Sequence, residues 1–277
     1  MSGDLVTPLD LGPLADTSVA SPARIYDHLL GGKDNFRADR DAAARLLEVL
    51  PGSAQAARDN RDFLQRAVRW LTAAGIRQFI DIGSGLPTAR NTHQAAHETD
   101  PAARVAYADN DPIVIAHARA LLQSGDPRVA VIDGDLRKPA SILASPGLTE
   151  LIDFREPVAV LLVAVLHFLT DDERPHDAVQ EIITALPPGS YLTLSHVTAD
   201  HVTPDAAATA QGVYDGATAP VTARTRAQVT AFFDGLELIE PGVCDVAAWH
   251  PEIAPARPRG HAPPPGAYIY GGVAAKR

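Results

Sequence analysis

The sequence predicts an α/β fold in which seven strands form a mostly parallel sheet with an antiparallel last strand. From Ile76 onward, short apolar runs alternate with helical patterns, which is typical of a parallel sheet with helices on both faces. The run at residues 158–164 is apolar at every position, as expected of a central strand buried on both sides. The last two strand candidates are joined through a Pro- and Gly-rich stretch, residues 255–265, without a helical pattern, so we expect them to pair antiparallel.

Three helices are predicted before the sheet begins. Ser21 and Pro22 suit the N-cap and the first position of a helix that ends at Gly31. Residues 38–50 and 53–74 carry apolar side chains at helical spacing and predict the next two helices. The expected organisation is a flexible arm at residues 1–20, an N-terminal helical lobe or lid at 21–75, and the α/β domain at 76–277.

The elements of the α/β domain follow from the same periodicities, because strands alternate every second residue and helices repeat every 3.6 residues. The strand candidates are residues 79–82, 104–108, 129–132, 158–164, 191–195, 236–240 and 268–273. The helix candidates are residues 88–97, 113–123, 140–152, 177–186, 206–215 and 225–233.

Composition limits the classes of function. The chain has 277 residues and a formal net charge of −10, whereas nucleic-acid binding needs a basic face that displaces counterions. The single cysteine, Cys244, excludes an internal disulfide and a zinc ribbon, and the histidines show no metal spacing. The N-terminus lacks a signal-peptide pattern, and the longest apolar run is far below the roughly 20 residues of a membrane span. We expect a cytoplasmic protein without a metal, nucleic-acid or membrane partner.

A glycine turn follows the first predicted strand and indicates a ligand site. Gly83 and Gly85 flank a serine after Asp81, and such a turn lets a ligand approach the backbone closely. In the dinucleotide fingerprint the sixth position is glycine, but here it is Thr88, and Pro87 lacks an N–H that a pyrophosphate would use. The turn therefore favours a nucleoside cofactor without phosphates over NAD or FAD. A tight turn without a ligand is the alternative.

Acidic residues end the second and third predicted strands. Asp109 comes a little over twenty residues after the glycines, where an acid accepts hydrogen bonds from ribose hydroxyls, and Asp111 suits the N-cap of the next helix. Asp135 is placed to accept from an exocyclic amine such as that of adenine, with the backbone of Leu136 beside the ring, and Asp133 is its rival. Ordinary solvated turns are the alternative interpretation of these acids.

These motifs resemble known ones. The stretches DIGSG at 81–85, DNDP at 109–112 and GDL at 134–136 resemble the first three motifs of class I S-adenosylmethionine-dependent methyltransferases. The chain more closely resembles an actinobacterial S-adenosyl methyltransferase family, formerly a domain of unknown function, and the likeness covers nearly all of it from residue 21. The matching stretches are SPARIYDHLLGGKDNF at 21–36, FIDIGSGLPT at 79–88, AVLHF at 164–168 and YGGV at 270–273.

The resemblance implies a Rossmann-like class I methyltransferase fold and S-adenosylmethionine as the cofactor. It also implies a role for each matching position. Asp81 would hold the methionyl amino group, Gly83 and Gly85 would admit the methionine moiety, Asp109 would bind the ribose, and Asp135 with Leu136 would frame the adenine. Asn110 is a further expected cofactor-binding residue. The sequence departs from the family pattern at residues 86–87, where many class I enzymes have a third glycine, and this departure suggests a less open turn.

Five further residues are candidates for catalysis or substrate binding. His167 follows the fourth strand at the edge that faces the methyl group in the family fold, so it is expected to act as a general base, or alternatively to contact the cofactor or cap a helix. His196, after the fifth strand, is expected to line the substrate pocket, with a core position as the alternative. Tyr26, Asn35 and Phe36 would reach the cofactor or substrate if the N-terminal helices form a lid, and would pack within the lobe otherwise.

The function that follows is S-adenosylmethionine-dependent methyl transfer to an unidentified small-molecule acceptor. The fourth strand lacks a following Asn/Asp-Pro-Pro-Tyr/Phe motif, which argues against methylation of base amines or of glutamine. The alternatives are a non-catalytic protein that binds S-adenosylmethionine as a sensor or partner, and a nicotinamide-dependent oxidoreductase, which Pro87 disfavours.

Overall fold

The computed structural model of the chain describes residues 16–87, 91–123, 125–253 and 268–277. Three parts of the sequence predictions lie outside the described residues. They are residues 1–15 of the expected arm, residues 88–90 at the start of the expected fourth helix, and the Pro- and Gly-rich stretch 255–265.

The described residues form one sheet of eight strands. The strands are β1 Gln78–Ile82, β2 Arg104–Asp109, β3 Val129–Asp133, β4 Ala159–Val163, β5 Tyr191–Val197, β6 Glu237–Leu238, β7 Cys244–Asp245 and β8 Ile269–Ala275. Their spatial order is β3-β2-β1-β4-β5-β8-β6, and β7 also pairs with β8. β1 to β5 are parallel, and β8 runs antiparallel to both β5 and β6, as predicted. The two-residue β7 was not predicted, because so short a strand carries no alternating pattern.

Helices cover the sheet and precede it. They are α1 Pro22–Leu29, α2 Arg37–Val49, α3 Ser53–Ala73, α4 Thr92–His97, α5 Pro112–Ala118, α6 Pro139–Leu143, α7 Pro146–Thr149, α8 Pro175–Ala185, α9 Pro204–Asp215 and α10 Arg226–Ala231. A π-helical turn, Arg119–Gln123, extends α5, and short 3₁₀ helices occupy Leu166–Phe168, Asp171–Glu173, Val246–Ala248 and Pro251–Ile253. None of the helices in the described part is long and apolar enough to cross a membrane.

Proline and a capping acceptor fix where several helices begin. Asp111 accepts a hydrogen bond from the Ile113 N–H (2.8 Å) at the start of α5, as predicted for a cap. Ser21 occupies the N-cap position of α1, but its hydroxyl makes no capping bond. Instead, Ser21 Oγ donates to Asp111 Oδ2 (2.7 Å) and connects α1 to the loop after β2. The sequence predicted that Ser21 is the N-cap residue, but it did not predict this hydrogen bond to a distant residue.

The sheet separates two hydrophobic clusters, and β4 contributes to both. Val160 and Leu162 face the cluster that includes α8 and α10, whereas Ala159 and Leu161 face the cluster beneath α3. All four side chains are fully buried. Burial of a Val or Leu side chain contributes about 1.5–3 kcal/mol, so the central strand is held firmly from both faces. Burial on both faces of the sheet explains why the run is apolar at every position. The same burial holds the carboxyl end of β4 in place.

The N-terminal helices pack in two places. α1 and α2 form a third hydrophobic cluster with α9, in which Ile25, Leu46 and Val213 are buried. The longer α3 packs on the sheet through Phe63 and its neighbours. The division of the chain into an N-terminal lobe and a sheet domain therefore stays a prediction. What the packing does provide is a cover of helices above the carboxyl ends of the strands.

Candidate active site

A cavity of about 890 Å³ lies at the carboxyl ends of the five parallel strands. It spans the point between β1 and β4 where the strand order reverses, which is the usual ligand position in open α/β sheets. α1, α3 and α9 supply other walls. Small-ligand sites have volumes of roughly 300–1,000 Å³, so this cavity has room for a nucleoside cofactor and a second small molecule.

Most of the residues predicted for the site line this cavity. The lining includes Tyr26, Asp81, Gly83, Gly85, Asp109, Asn110, Asp135, Leu136 and His167. Asn35, Phe36 and His196 do not line it. The acids and glycines at the strand ends thus line one cavity, whereas three of the expected substrate or lid residues lie outside its lining.

The glycine turn after β1 needs both of its glycines. Gly83 has a φ of 73° and Gly85 a φ of 65°, in the region that favours glycine. A Cβ atom at Gly83 would lie 2.3 Å from Cγ2 of Val165, whereas one at Gly85 would meet no heavy atom within 4 Å. Gly83 therefore allows the turn to pack against the segment after β4, and Gly85 leaves open space on the cavity side.

Replacing Gly83 with alanine is expected to lower the free energy of unfolding by about 2–4 kcal/mol. The left-handed backbone costs a non-glycine residue about 1–2 kcal/mol, and overlap with Val165 adds about 1–3 kcal/mol. Urea unfolding measures the change. The control is Gly212→Ala in α9, where φ is not positive and the new Cβ meets nothing within 4 Å, so that helix propensity predicts unchanged or slightly higher stability. Equal losses in the two variants would contradict this account of the turn.

Asp81 lies beside a cation that the sequence analysis missed. The Asp81 carboxylate is buried and accepts a hydrogen bond from Thr92 Oγ1 at 2.6 Å. Burial raises its pKa, and the nearby Arg61 guanidinium acts in the opposite direction. Arg61 comes from α3, lines the same cavity and donates to Asn91 Oδ1 at 3.3 Å. An anionic and a cationic side chain thus lie together at this end of the cavity.

Asp109 joins the end of β2 to the glycine turn. Its Oδ2 accepts from the Gly85 N–H (2.9 Å), and its Oδ1 accepts from the Asp111 N–H (3.0 Å). Burial raises the pKa of Asp109 to about 6, although backbone N–H donors pull it down. The carboxylate is mostly ionised at neutral pH and retains free lone pairs, since each oxygen can accept more than one hydrogen bond. Asn110, which also lines the cavity, is exposed.

The residues after β3 differ in their environment. Asp135 is paired with Arg137, whose Nε donates to both carboxylate oxygens at 2.9 Å, and Arg137 also contacts Glu173. Leu136 is buried in the core, yet part of it reaches the cavity. Asp133, the rival of Asp135, is exposed and does not line the cavity. Asp135 is therefore the acid of this strand end that faces the site.

His167 lies at the cavity but is not built as a ready proton acceptor. Its ring is buried beside Phe168 (centroids 4.3 Å apart) and His196 (5.3 Å). Burial, helped by His196 and the Arg224 cation, lowers the pKa of His167 well below its usual value. The Val197 N–H points at Nδ1 from 3.5 Å, which leaves the proton of the neutral ring on Nε2. The ring is thus a neutral hydrogen-bond donor.

His196 is buried and does not line the cavity, which matches the core position that the sequence analysis gave as its alternative. It is fully buried, its Nδ1–H donates to the Val197 carbonyl (2.7 Å), and its Nε2 accepts from Arg224 Nη1 (2.9 Å). Burial is the main cause that lowers its pKa to about 3. Both ring nitrogens are used within the protein. The buried Arg224 also donates to the carbonyls of Leu166 and Leu169, and therefore ties the segment that carries His167 to β5.

A chain of hydrogen bonds connects α1 and α3 to the end of β4. Tyr26 Oη donates to the Ala57 carbonyl and accepts from Asn60 Nδ2 at 3.0 Å. Ser195 Oγ donates to Asn60 Oδ1 (2.6 Å) and accepts from the Ala164 N–H (2.9 Å). Ala164 has a φ of 57°, and backbone strain of this kind concentrates at functional sites. Tyr26, Asn60 and Ala164 line the cavity, and Tyr26 does so with its hydroxyl already bonded.

Asn35 and Phe36, which were expected to contact the cofactor or substrate, stabilise the N-terminal helices instead. Asn35 Nδ2 donates to Asp27 Oδ2 at 2.8 Å. Phe36 lies beneath the Arg24 guanidinium (5.5 Å to the ring centroid), and Arg24 in turn is paired with the buried Asp39. The motif at residues 21–36 is therefore largely a set of internal contacts, and only part of it reaches the cavity.

The comparisons with known proteins agree with this geometry. The sequence matches the S-adenosyl methyltransferase family over residues 11–277. A Thermobifida fusca protein assigned to the methyltransferases is 40% identical, with a TM-score of 0.87 and 99% of both chains covered. A DUF574 family protein from Streptomyces avermitilis is 39% identical, with a TM-score of 0.86 and coverage of 95% of this chain and 99% of that chain. No curated protein matches the sequence.

Proposed function

Because the chain belongs to the S-adenosyl methyltransferase family, we propose that it methylates a small molecule that binds beside the cofactor in the cavity at the strand ends. The enzyme is an S-adenosylmethionine-dependent methyltransferase with the class I fold. One observation supports the proposal most strongly. The glycine turn and the acids at the carboxyl ends of β1, β2 and β3 line one continuous cavity, together with residues of α2 and α9.

The residues present fit this cofactor. Its amino-acid end carries an ammonium and a carboxylate, and Asp81 and Arg61 offer the opposite charges at one end of the cavity. Asp109 retains lone pairs for ribose hydroxyls, and the open space at Gly85 leaves the turn accessible. Asp135 and Leu136 remain the candidates for the adenine. The assignment requires no phosphate-binding group at the turn, because the ligand has no phosphates.

Bound in this cavity, the cofactor supplies a methyl group that its sulfonium already activates, so alignment of the acceptor accounts for much of the catalysis. The residues of the chain then have three tasks. Asp81, Arg61 and Asp109 hold the cofactor, the helices above the strand ends exclude water, and the residues after β4 orient the acceptor. We propose that α1 and α2 belong to this cover.

We propose that His167 orients a ligand through its Nε2–H rather than removing a proton. Replacement by glutamine keeps an N–H donor, so methyl transfer is expected to stay within about ten-fold of the wild type, the value of a neutral hydrogen bond. A general base would contribute about 10²- to 10⁴-fold, and glutamine could not replace it. The measurement is labelled methyl transfer in cell extract by the wild type, His167→Gln and His167→Ala.

The pH dependence of the methyl-transfer rate is a second test of the role proposed for His167. Because its pKa lies well below the usual value, the ring stays neutral as the pH falls from 8 to 6, and no change in rate should follow the titration of a histidine in this window. Equal, large losses in both variants would show that His167 acts as a base.

The experiment that tests the proposed function is a screen of cell extract fractions with methyl-labelled S-adenosylmethionine. A labelled product below the size of a protein or nucleic acid is expected. Label that appears only in macromolecules, or cofactor binding without any labelled product, would contradict methylation of a small molecule. In the second case the protein would resemble a sensor that binds the cofactor without transfer.

A further inference from the structure

The cavity continues away from the strand ends into an apolar chamber. We define this chamber by the lining residues Leu46, Leu50, Val202, Ala207, Tyr214 and Val221, which come from α2, from α9 and from the segments next to them. The charged residues among the described lining lie outside this chamber's defining elements: Asp16 and Arg24 before and in α1, Arg61 on α3, Asp81 in β1, and Asp109, Asp111, Asp135 and Arg137 at the ends of β2 and β3 or in the turns that follow. The described lining from α2 and from residues 197–223 is uncharged, and its polar members besides Tyr214 are Thr198, Gln211, Thr218 and Thr222.

Aromatic rings connect this chamber to the end of β4. The Phe168 ring lies 4.3 Å from His167 and 5.9 Å from Tyr214, measured between centroids. Ala207 lies seven residues before Tyr214, two turns away on the same face of α9, and its small side chain leaves volume in the chamber. A flat, apolar ligand can therefore lie against aromatic walls next to His167.

Tyr214 supplies a polar group in these apolar surroundings. Its hydroxyl has no hydrogen-bond partner among the described residues, in contrast to Tyr26, whose hydroxyl is bonded twice within the protein. Burial raises the pKa of Tyr214 to about 12, so its hydroxyl remains protonated at neutral pH and can donate. An unbonded donor inside an apolar cavity is satisfied at little cost by a ligand that offers an acceptor atom.

From these observations, and resting on the proposed function, we infer that the methyl acceptor is an uncharged, largely apolar molecule with an aromatic ring and a hydroxyl or similar polar atom bonded to Tyr214. A charged acceptor would lose its hydration in a chamber whose described walls offer no opposite charge, and unpaired burial of a charge is costly. An uncharged ring loses little hydration and gains contact with Phe168 and Tyr214.

The transfer itself is balanced without further reactants. A lone pair of the acceptor oxygen or other heteroatom forms the new bond to the methyl carbon, the carbon–sulfur bond breaks, and its electron pair remains on sulfur. S-Adenosylhomocysteine is then the second product, and the proton of the acceptor passes to water. The positive charge of the sulfonium moves to the acceptor heteroatom as the new bond forms and leaves with the proton, so a neutral thioether and a neutral methylated product remain.

Calorimetry with a pair of aromatic probes tests the inference. The protein is first saturated with S-adenosylhomocysteine and then titrated with naphthol or with hydroxynaphthoate, which adds one carboxylate to the same ring system. We expect naphthol to bind and hydroxynaphthoate to bind at least about ten-fold more weakly. Hydroxynaphthoate binding as tightly as naphthol, or no binding of naphthol to the saturated protein, would overturn the inference.

Three variants connect the binding to the chamber. Tyr214→Phe should weaken naphthol binding about three- to ten-fold through loss of one hydrogen bond, and Ala207→Phe should abolish it by filling the space. Tyr270→Phe is the matched control, because the Tyr270 hydroxyl bonds His201 and does not line the cavity. Equal naphthol affinity in Tyr214→Phe and Tyr270→Phe would contradict the role of Tyr214.

The first titration separates this inference from the proposed function. S-Adenosylhomocysteine should bind the wild type and all three variants with similar affinity, because none of the changes touches the acids or the glycine turn. If S-adenosylhomocysteine binds and naphthol does not, the inference about the acceptor alone is wrong. If S-adenosylhomocysteine itself does not bind, the proposed function is wrong and the inference is wrong with it.

Discussion

Replacing Asp109 with alanine is expected to weaken S-adenosylmethionine binding about a hundred-fold. A hydrogen bond to a charged group contributes about 1.5–3 kcal/mol, and Asp109 is assigned to two ribose hydroxyls, so a loss of about 3 kcal/mol is a low estimate. The same change removes the acceptor of the Gly85 N–H, which loosens the turn that the cofactor contacts. Calorimetry at pH 7.5 measures the effect.

Asp133→Ala is the control for this variant. Asp133 is paired in register with Asp109 on the neighbouring strand, but it is exposed and lies outside the cavity lining. Its replacement removes the same charge at a similar distance from the sheet edge and should change the affinity by less than about two-fold, as screened surface charges do. A similar loss in both variants would show that general electrostatics, and not Asp109 itself, determines cofactor binding.

The affinity should also depend on pH through Asp109. Burial raises its pKa to about 6, and the ionised form is the one that accepts from both hydroxyls. Binding then requires loss of a proton below about pH 6, so affinity falls by up to about ten-fold per pH unit in that range and is constant above it. The Asp109→Ala variant should lack this dependence.

The largest effect on stability is expected for Arg224→Met. The change leaves the His196 Nε2 and the carbonyls of Leu166 and Leu169 without their donor in a buried region. Unsatisfied buried groups cost about 1–3 kcal/mol each, so the free energy of unfolding should fall by about 3–5 kcal/mol, as measured by urea unfolding. The salt bridge to Asp171 adds little, because that carboxylate is 76% exposed.

Arg226→Met is the matched control, two residues further along the chain. Arg226 is exposed and donates to a single carbonyl, that of Val243. Its replacement should cost less than about 1 kcal/mol, in the range of one ordinary hydrogen bond. Equal unfolding midpoints for the two variants would show that Arg224 does not hold the segment after β4 in place.

The sheet and its acidic strand ends were predictable because their signals are local. Consecutive residues are enough to predict both the uniformly apolar strand β4 and the start of α5, where Asp111 is the N-cap and proline the first helical residue. The acids that follow β2 and β3 could be brought together from sequence alone, since the carboxyl ends of parallel strands lie at one edge of a sheet. Asp109 and Asp135 were found by this reasoning.

The residues that the sequence analysis missed depend on contacts between distant segments. Arg61 lies on a helix whose periodicity indicates only packing, and it acts on the charge of Asp81 because this part of α3 lines the same cavity. Arg224 lies in a segment without periodicity, and its partners come from two other parts of the chain. A basic residue on a helix that was expected to cover the strand ends is a signal that could have drawn attention to Arg61.

His196 and Asn35, which were expected to bind substrate or cofactor, do not line the cavity, for a related reason. Both were chosen because polar residues near a predicted site are candidates for binding, but hydrogen bonds inside the protein already occupy them. Such satisfaction is invisible in a sequence, because it depends on which way a side chain turns. His167 does line the cavity, as expected. The hydrogen bond from the Val197 N–H to its Nδ1 is the reason that we propose it as a hydrogen-bond donor and not as a base.

Calorimetric titration of the unmodified protein with S-adenosylmethionine and with NAD tests the central claim most directly. The opposite charges of Asp81 and Arg61 at one end of the cavity and the ribose site proposed at Asp109 predict saturable binding of S-adenosylmethionine. The same cavity should give no saturable heat with NAD, because Pro87 removes a donor for its pyrophosphate. Saturable binding of NAD by the folded protein, or none of S-adenosylmethionine, would contradict the account.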